Sequence, residues 1–292
     1  MEQFFEKAKE SGLQIINAAW ITKAGCGKII THPTPLNLYS VTKAFLALAV
    51  GFAVDENLLR LSDRIVALCP ELREEAAPGA EEITVYHLLT MTHGHGTSIL
   101  MPGQKERFTE KNYSAYFMRQ PMVYRPGSRF IYCNGSSYTL GYVLQRVTGM
   151  SISAYLAPRL FAPLGIQEYS WETCRMGYET GGQGLLLKTE DTLKLGALFL
   201  KGGMGIVSPF WLKVMSQKHI DSDWNGEGTG GYGYQVWINR ENRGFRAEGT
   251  MGQFVWIDEK RSFALAVNAK EPRCASGNEP FYEIVREFYE RM

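Results

Sequence analysis

Three short constellations in this chain hold residue types able to do chemistry together. Ser40-Val41-Thr42-Lys43 sets a hydroxyl and an amine three positions apart at the start of an apolar stretch. Positions i and i+3 of a helix share a face, with Cβ atoms about 5–6 Å apart, so Lys43 can reach Ser40. A hydroxyl is a weak nucleophile and needs an adjacent base and preorganised donors. A helix N-terminus offers free N–H groups to a developing oxyanion. The lysine must be partly neutral to act as a base, and its ordinary pKa is about 10.4. Burial among Phe45, Leu46 and Ala47 is expected to lower it. Tyr132-Cys133-Asn134 is a Y-x-N just ahead of a helical stretch. Glu248-Gly249-Thr250-Met251-Gly252-Gln253 lies between two late strands, where glycines let a ligand approach the backbone closely.

Each constellation alone has a plainer reading. With 16 Ser and 14 Lys in 292 residues, chance supplies roughly 0.8 S-x-x-K matches, and roughly 0.5 Y-x-N matches are expected from 15 Tyr and 10 Asn. Ser40 reads equally as a helix N-cap and Lys43 as a solvated side chain. Tyr132 and Asn134 read as a core tyrosine and a turn residue. The 248–253 segment reads as a bulge or hairpin corner.

The elements that must position these residues follow from patterning. A short helix over 2–10 precedes strands over Leu13–Thr22 and Lys28–Thr31, and a long apolar helix runs from about Ser40 to Val54. The middle reads as helical over Val85–Met91 with Thr84 as N-cap, Ser136–Val147, Ile152–Phe161, and Glu190–Lys201 with Thr189 as cap. The last third is β-rich over Tyr232–Ile238, Gly244–Ala247, Gln253–Ile257 and Phe263–Asn268, an antiparallel meander, before a final amphipathic helix over Pro280–Met292. Strands thus begin and end the chain and helices fill its middle. The expected fold is α/β (α+β): an antiparallel sheet flanked by the N- and C-terminal helices, with an inserted all-helical domain. Residues 1–54 and 205–292 form the sheet lobe, residues 55–204 the helical lobe, and the cleft between them is the natural site.

In this order and context the three constellations resemble the serine β-lactamase and penicillin-binding-protein superfamily, particularly its class C-like enzymes and their esterase relatives. That superfamily carries S-x-x-K on the first core helix, Y-x-N or S-x-N in the helical domain, and K-T-G or a variant on a late strand. The resemblance covers nearly the whole chain. It includes Ile83-Thr84-Val85-Tyr86-His87-Leu88-Leu89-Thr90-Met91-Thr92, the Pro126-Gly127 to Asn134 segment, Val147-Thr148-Gly149, Phe161-Ala162-Pro163-Leu164-Gly165, Gly184-Leu185 and Thr189-Glu190-Asp191. It implies Ser40 as nucleophile, Lys43 as the lysine that activates it, and Tyr132 as the tyrosine that shuttles protons. Asn134 would hold the acyl amide and the lysine. Gly249 and Thr250 would flank the site, with the backbone N–H groups of Thr250 and Ser40 forming an oxyanion hole.

One departure bears on substrate. Ala247-Glu248-Gly249 stands where the family has K-T-G, whose Lys and Thr help bind the substrate carboxylate. Ala247 removes a cation and Glu248 adds an anion, while the adjacent Arg246 should point to the opposite strand face. Uncharged small esters or amides are therefore the expected substrates of an acyl-enzyme at Ser40, with Glu248 either in the cleft or in solvent. The alternatives are a true β-lactamase or D-alanyl-D-alanine carboxypeptidase, and a sensor-like protein that acylates without turnover.

Other features narrow the picture. Gly226-x-Gly228-x-x-Gly231 fits a dinucleotide fingerprint by letter but precedes a strand rather than a helix. His93-Gly94-His95 lacks a third metal ligand and is expected in a loop near the cleft mouth. Cys133 reads as a space-filling thiol. No metal and no cofactor are expected. Five widely spaced cysteines with no CxxC argue against a disulfide framework or a zinc ribbon. Lys plus Arg total 31 and Asp plus Glu 30, so the net charge of +1 gives no case for nucleic acid or an anionic membrane as partner. A small molecule is the expected partner, and the sequence leaves the oligomeric state open. The first residues show no basic region followed by an apolar one, and the longest apolar run, 44–54, is too short to span a bilayer. The cytoplasm is the expected setting.

Overall fold

The computed structural model describes residues 2–10, 14–222 and 229–270. Helix α1 (Glu2–Glu10) leads into strands β1 (Gln14–Thr22), β2 (Gly25–Ile30) and the short β3 (Leu36–Asn37). Helices α2 (Thr42–Asp55), α3 (Ile65–Leu68), α4 (Val85–Leu89), α5 (Glu106–Thr109), α6 (Tyr113–Met118), α7 (Asn134–Thr148) and α8 (Ile152–Leu156) follow. Two short strands, β4 (Ser170–Trp171) and β5 (Leu185–Leu187), precede helices α9 (Thr189–Leu200) and α10 (Pro209–Met215). Strands β6 (Thr229–Tyr232), β7 (Trp237–Asn239), β8 (Phe245–Gly249), β9 (Gln253–Asp258) and β10 (Phe263–Lys270) complete the described fold.

The seven-stranded sheet runs β2-β1-β10-β9-β8-β7-β6, and every neighbouring pair is antiparallel. The first and last strands therefore meet side by side, Ala18 opposite Val267, and the helical segments form an excursion between them. The expected mixed α/β architecture with an antiparallel sheet is what forms. Alternate residues of β8–β10 feed two cores. Phe245, Ala247, Val255, Ile257, Ala264 and Ala266 join the large core that holds α2, whereas Phe254, Trp256, Leu265 and Val267 pack with Phe4 and Ala8 of α1. Helix α9 lies on this sheet against β1, β9 and β10. The helix expected over 280–292 lies outside the described residues, as do Gly226 and Gly228.

Helix α2 is apolar all round and buried from Thr42 to Ala53, as such a helix must be. Gly51 is required there by Trp211 of α10: a Cβ at that position would sit 2.3 Å from the indole nitrogen, which donates to Ala47 O at 3.1 Å.

Local departures from the sequence reading have physical causes. The stretch Tyr232–Ile238 is not one strand but two joined by a tight turn, with Tyr232 opposite Trp237. Gln235 at the turn has φ +61 and is buried. Its Nε2 donates to Leu88 O and Leu89 O at 2.9 and 3.1 Å, and its Oε1 accepts from Ser137 Oγ at 2.6 Å. These bonds pin the β6–β7 turn to α4 and α7. Thr189 is the first residue of α9 rather than its cap, because its hydroxyl is spent on Asn268 Oδ1 at 2.6 Å. Thr84 does cap α4, and the His87 ring closes a capping box with it. The stretch Ile152–Phe161 is α-helical only to Leu156 and then widens into a π turn over 157–161, where Pro158 removes a backbone donor.

Candidate active site

Ser40 sits in a single 3₁₀ turn, Tyr39–Val41, that runs into α2. Tyr39 just before it has φ +46, a costly conformation for a side-chain-bearing residue. The turn is held by Asn37 Oδ1, which accepts from Tyr39 N at 2.8 Å, and by Val41 N donating to Leu38 O at 3.1 Å. The Ser40 side chain is left partly exposed. Strand β8 passes directly behind. A Cβ on Gly249 would lie 2.5 Å from Leu38 O and 3.0 Å from Ser40 N, so only glycine permits this approach.

Three residues after Ser40, at the start of α2, Lys43 is 1% exposed. Its Nζ donates to Ser40 Oγ at 2.9 Å, Asn134 Oδ1 at 2.7 Å and Gly182 O at 2.6 Å. Asn134 is fixed by its own amide, which donates to Leu100 O at 3.2 Å, so Oδ1 faces the lysine. Burial lowers the Lys43 pKa to about 7, and the nearby Arg107 charge adds to the effect. Two of the three partners, an amide oxygen and a peptide oxygen, can only accept. When Lys43 is neutral its two N–H groups go to those oxygens, and its lone pair is left facing the Ser40 hydroxyl.

Tyr132 completes the group. Its ring lies beside the pair, with Lys43 Nζ 5.0 Å from the ring centroid. Burial, with the Glu248 charge as a smaller contribution, holds its phenol well above the ordinary tyrosine range. Trp237 of β7 stacks on the ring at 5.3 Å and 19°. The pinned β6–β7 turn is therefore what presents Trp237 to Tyr132. Behind Trp237, 5.9 Å from its ring, lies the buried Arg246 guanidinium. It is paired with Glu248 at 3.0 Å and bonded to Asn239 Oδ1 at 2.7 Å.

The fold thus brings Ser40, Lys43 and Asn134 into one hydrogen-bonded cluster with the Tyr132 ring beside it, and sets Gly249 against the Ser40 amide. Thr250, exposed, begins the turn that follows. Glu248 points neither freely into solvent nor alone into the cleft: its side chain is 21% exposed and carries the Arg246 charge with it. Ala247, where the resemblance would place a cation, is buried in the core.

The site also recruits groups that carry no type signal in the sequence. Gly182 contributes only a peptide oxygen. His93 is buried, not in a loop open at the cleft mouth. Its Nε2 lies 3.1 Å from Ile131 O, and its Nδ1 accepts from His95 N at 3.2 Å, which fastens the backbone next to Tyr132. His95 is buried against the Phe117 ring, 4.4 Å away. Among the described residues no group of three or more His, Cys, Asp or Glu side chains is placed to hold a metal ion, and no helix is long and apolar enough to cross a membrane. Cys133 is buried between Tyr132 and Asn134, with its sulfur on the backbone of Ile99.

Known proteins share this arrangement of elements. The octameric penicillin-binding protein homologue from Pyrococcus abyssi superposes with a TM-score of 0.79 at 21% identity, over 99% of this chain and 76% of that one. EstCE1, a hydrolase with promiscuous acyltransferase activity, gives a TM-score of 0.79 at 16% identity over 98% and 97% of the two chains. At these identities the likeness is one of fold. In sequence, the Beta-lactamase of Escherichia coli (strain K12) is 27% identical over 142 residues, 49% of this chain and 36% of that protein, so the match spans about a third of the relative's length. The Beta-lactamase family pattern matches residues 12–279, most of the molecule, and the chain belongs to the β-lactamase family.

Proposed function

We propose that this protein is a serine hydrolase that forms an acyl-enzyme on Ser40 and turns over small esters or amides. The observation that carries this reading is the bonding of Lys43: a buried amine with a pKa of about 7, two fixed acceptors, and the nucleophile hydroxyl as its third partner. At neutral pH a substantial fraction of such an amine is unprotonated. It takes the Ser40 proton as Oγ adds to the substrate carbonyl carbon. The developing oxyanion is met by the backbone N–H groups of Ser40 and Thr250, a role supported by the close approach of Gly249 to Ser40 N. Tyr132, whose phenol stays protonated, lies beside Lys43 and relays the proton to the leaving group as the carbonyl–heteroatom bond breaks. Water then adds to the ester carbonyl, gives its proton to the same network, and releases the acid and Ser40. EstCE1, named as a hydrolase, gives this reading a relative of the same fold.

The β8 strand favours esters over β-lactams. A carboxylate-bearing substrate finds Ala247 buried and the Arg246 charge already paired with Glu248. A lost charge-assisted hydrogen bond costs roughly 1.5–3 kcal/mol, about one to two orders of magnitude in kcat/KM. The test is a panel of p-nitrophenyl acetate and butyrate against a penicillin and a cephalosporin, for the wild type and Ser40→Ala. The esters are expected to have the higher kcat/KM, and Ser40→Ala to abolish all turnover. Faster hydrolysis of the cephalosporin would overturn the substrate reading, and full ester turnover by Ser40→Ala would overturn the nucleophile.

A further inference from the structure

A pocket lies beside Asn134 and Gly182, two of the groups that Lys43 bonds, and neither Tyr132 nor Trp237 is among its lining residues. The hydroxyls on its wall are already committed. Tyr113 donates to Arg107 O, Tyr138 is bonded to Cys174 Sγ at 2.9 Å, and Thr180 donates to Gln183 O at 2.8 Å. Of the remaining polar side chains of the wall, the Asn134 and Gln183 amides already donate to Leu100 O and Glu172 Oε2, at 3.2 Å each, which leaves the Arg107 guanidinium. Its side chain is only 18% exposed, yet among the described residues its five N–H groups make one side-chain bond, to Glu172 Oε1 at a long 3.4 Å. Glu172 lies at the outer rim, 43% exposed, and is also held by Gln183 Nε2 at 3.2 Å. A mostly buried guanidinium with most of its fork unengaged is built for a planar, two-oxygen acceptor. Its charge already reaches the site, since it helps depress the Lys43 pKa.

The side of the site on which this cation sits decides what it selects. The group that protonates the leaving group must stand at the leaving group, and Tyr132 stands on the Trp237 side. The pocket beyond Asn134 and Gly182 then faces the other half of the substrate, the acyl group. Resting on the serine-hydrolase reading above, we propose that Arg107 makes this enzyme selective for esters or amides whose acyl half ends in a carboxylate, as in a half-ester of a short dicarboxylic acid. The selectivity is thus reversed end for end from a substrate that carries its carboxylate on the leaving-group half, where this chain has lost its strand cation at Ala247.

Four methyl or acetyl esters of similar size separate the possibilities: monomethyl succinate, methyl levulinate (a neutral ketone of the same shape), methyl pentanoate, and O-acetyl glycolate, which carries its carboxylate on the alcohol half. For the wild type at low salt, kcat/KM for monomethyl succinate should exceed that for methyl levulinate by about ten-fold or more, the scale of one charge-assisted hydrogen bond. Added salt should shrink the ratio. In Arg107→Gln the succinate-to-levulinate ratio should fall to about one, and Arg107→Lys should restore part of it. The ratio cancels any effect of the substitution on Lys43, which both substrates share. A wild-type ratio near one, a ratio unchanged in Arg107→Gln, or a preference for O-acetyl glycolate over monomethyl succinate would each overturn the inference. If Arg107→Gln does not fold, the wild-type ratio and Arg107→Lys decide it. Turnover of the neutral esters without a succinate preference removes this inference alone, whereas no turnover of any of the four removes the hydrolase reading beneath it.

Discussion

Replacing Lys43 by Met should change how stability depends on pH, by an amount that the site itself fixes. In the unfolded chain the lysine titrates at its ordinary value of 10.5; in the fold burial lowers it to about 7. Between those values the unfolded chain holds a proton that the folded chain has given up. The stability contributed by Lys43 therefore rises with pH across this window, is complete above the unfolded value, and is lost as pH falls through about 7. Each pH unit inside the window is worth about 1.4 kcal/mol, and the whole interval on the order of 5 kcal/mol. Methionine matches the length of the lysine stem and does not titrate, and every other titrating group is common to both proteins. Urea unfolding of the wild type and Lys43→Met, at steps from about pH 7.5 to about pH 9.5, should show the wild-type minus variant difference climbing by roughly 2–3 kcal/mol. The absolute difference at any one pH is not diagnostic, because Met also leaves Asn134 Oδ1 and Gly182 O without the lysine donor. The slope is diagnostic. A difference flat to within about 0.5 kcal/mol would mean that Lys43 keeps an ordinary ammonium in the fold and cannot serve as the base near neutrality.

Two further outcomes concern the same network. Asn134→Asp puts a carboxylate where Oδ1 now sits, 2.7 Å from Nζ, which favours the ammonium. The ascending limb of the kcat/KM–pH profile, expected near 7 in the wild type, should move alkaline by about two units or more, and an unmoved limb would separate Lys43 from the rate. Tyr132→Phe and Lys43→Ala should each cost on the order of 10²–10⁴ in kcat/KM. The double variant should be little worse than the poorer single one, since the groups act as a unit. Full activity in Tyr132→Phe would leave Lys43 as sole base and another group as the leaving-group acid.

The parts of this molecule that were legible in its sequence are those in which residue type and period carry the information. An apolar stretch over 44–54, broken only by Gly51, reads as a buried helix, and the S-x-x-K ahead of it sets a hydroxyl and an amine one turn apart. The β-rich runs Gln253–Ile257 and Phe263–Asn268, joined by a short turn, read as an antiparallel meander, and the two strands pair antiparallel. What escaped is what type does not encode. Gly182 enters the site through a peptide oxygen, which every residue possesses. The break in Tyr232–Ile238 depends on Gln235 adopting a left-handed backbone so that its amide can bind α4, a tertiary reward that overrides local β propensity. Arg246 was expected to point away from the position of Ala247, as it does, but its partner on that face, Glu248, and the Trp237–Tyr132 stack it supports come from pairing register across β7 and β8. His93 and His95 read as loop residues because they flank a glycine, and they are buried because Phe117 of α6 closes over them.

The central claim is that Ser40 is a nucleophile activated by its neighbours, and covalent labelling reads it without any knowledge of the natural substrate. The wild type incubated with a fluorophosphonate at neutral pH should gain the mass of one phosphonyl group on intact-mass spectrometry, and peptide mapping should place it on Ser40. Ser40→Ala should gain none while remaining folded, since loss of that one hydroxyl costs at most about 2 kcal/mol. A Ser40→Ala protein that labels as fully as the wild type, or a wild type modified at a residue other than Ser40, would contradict the account.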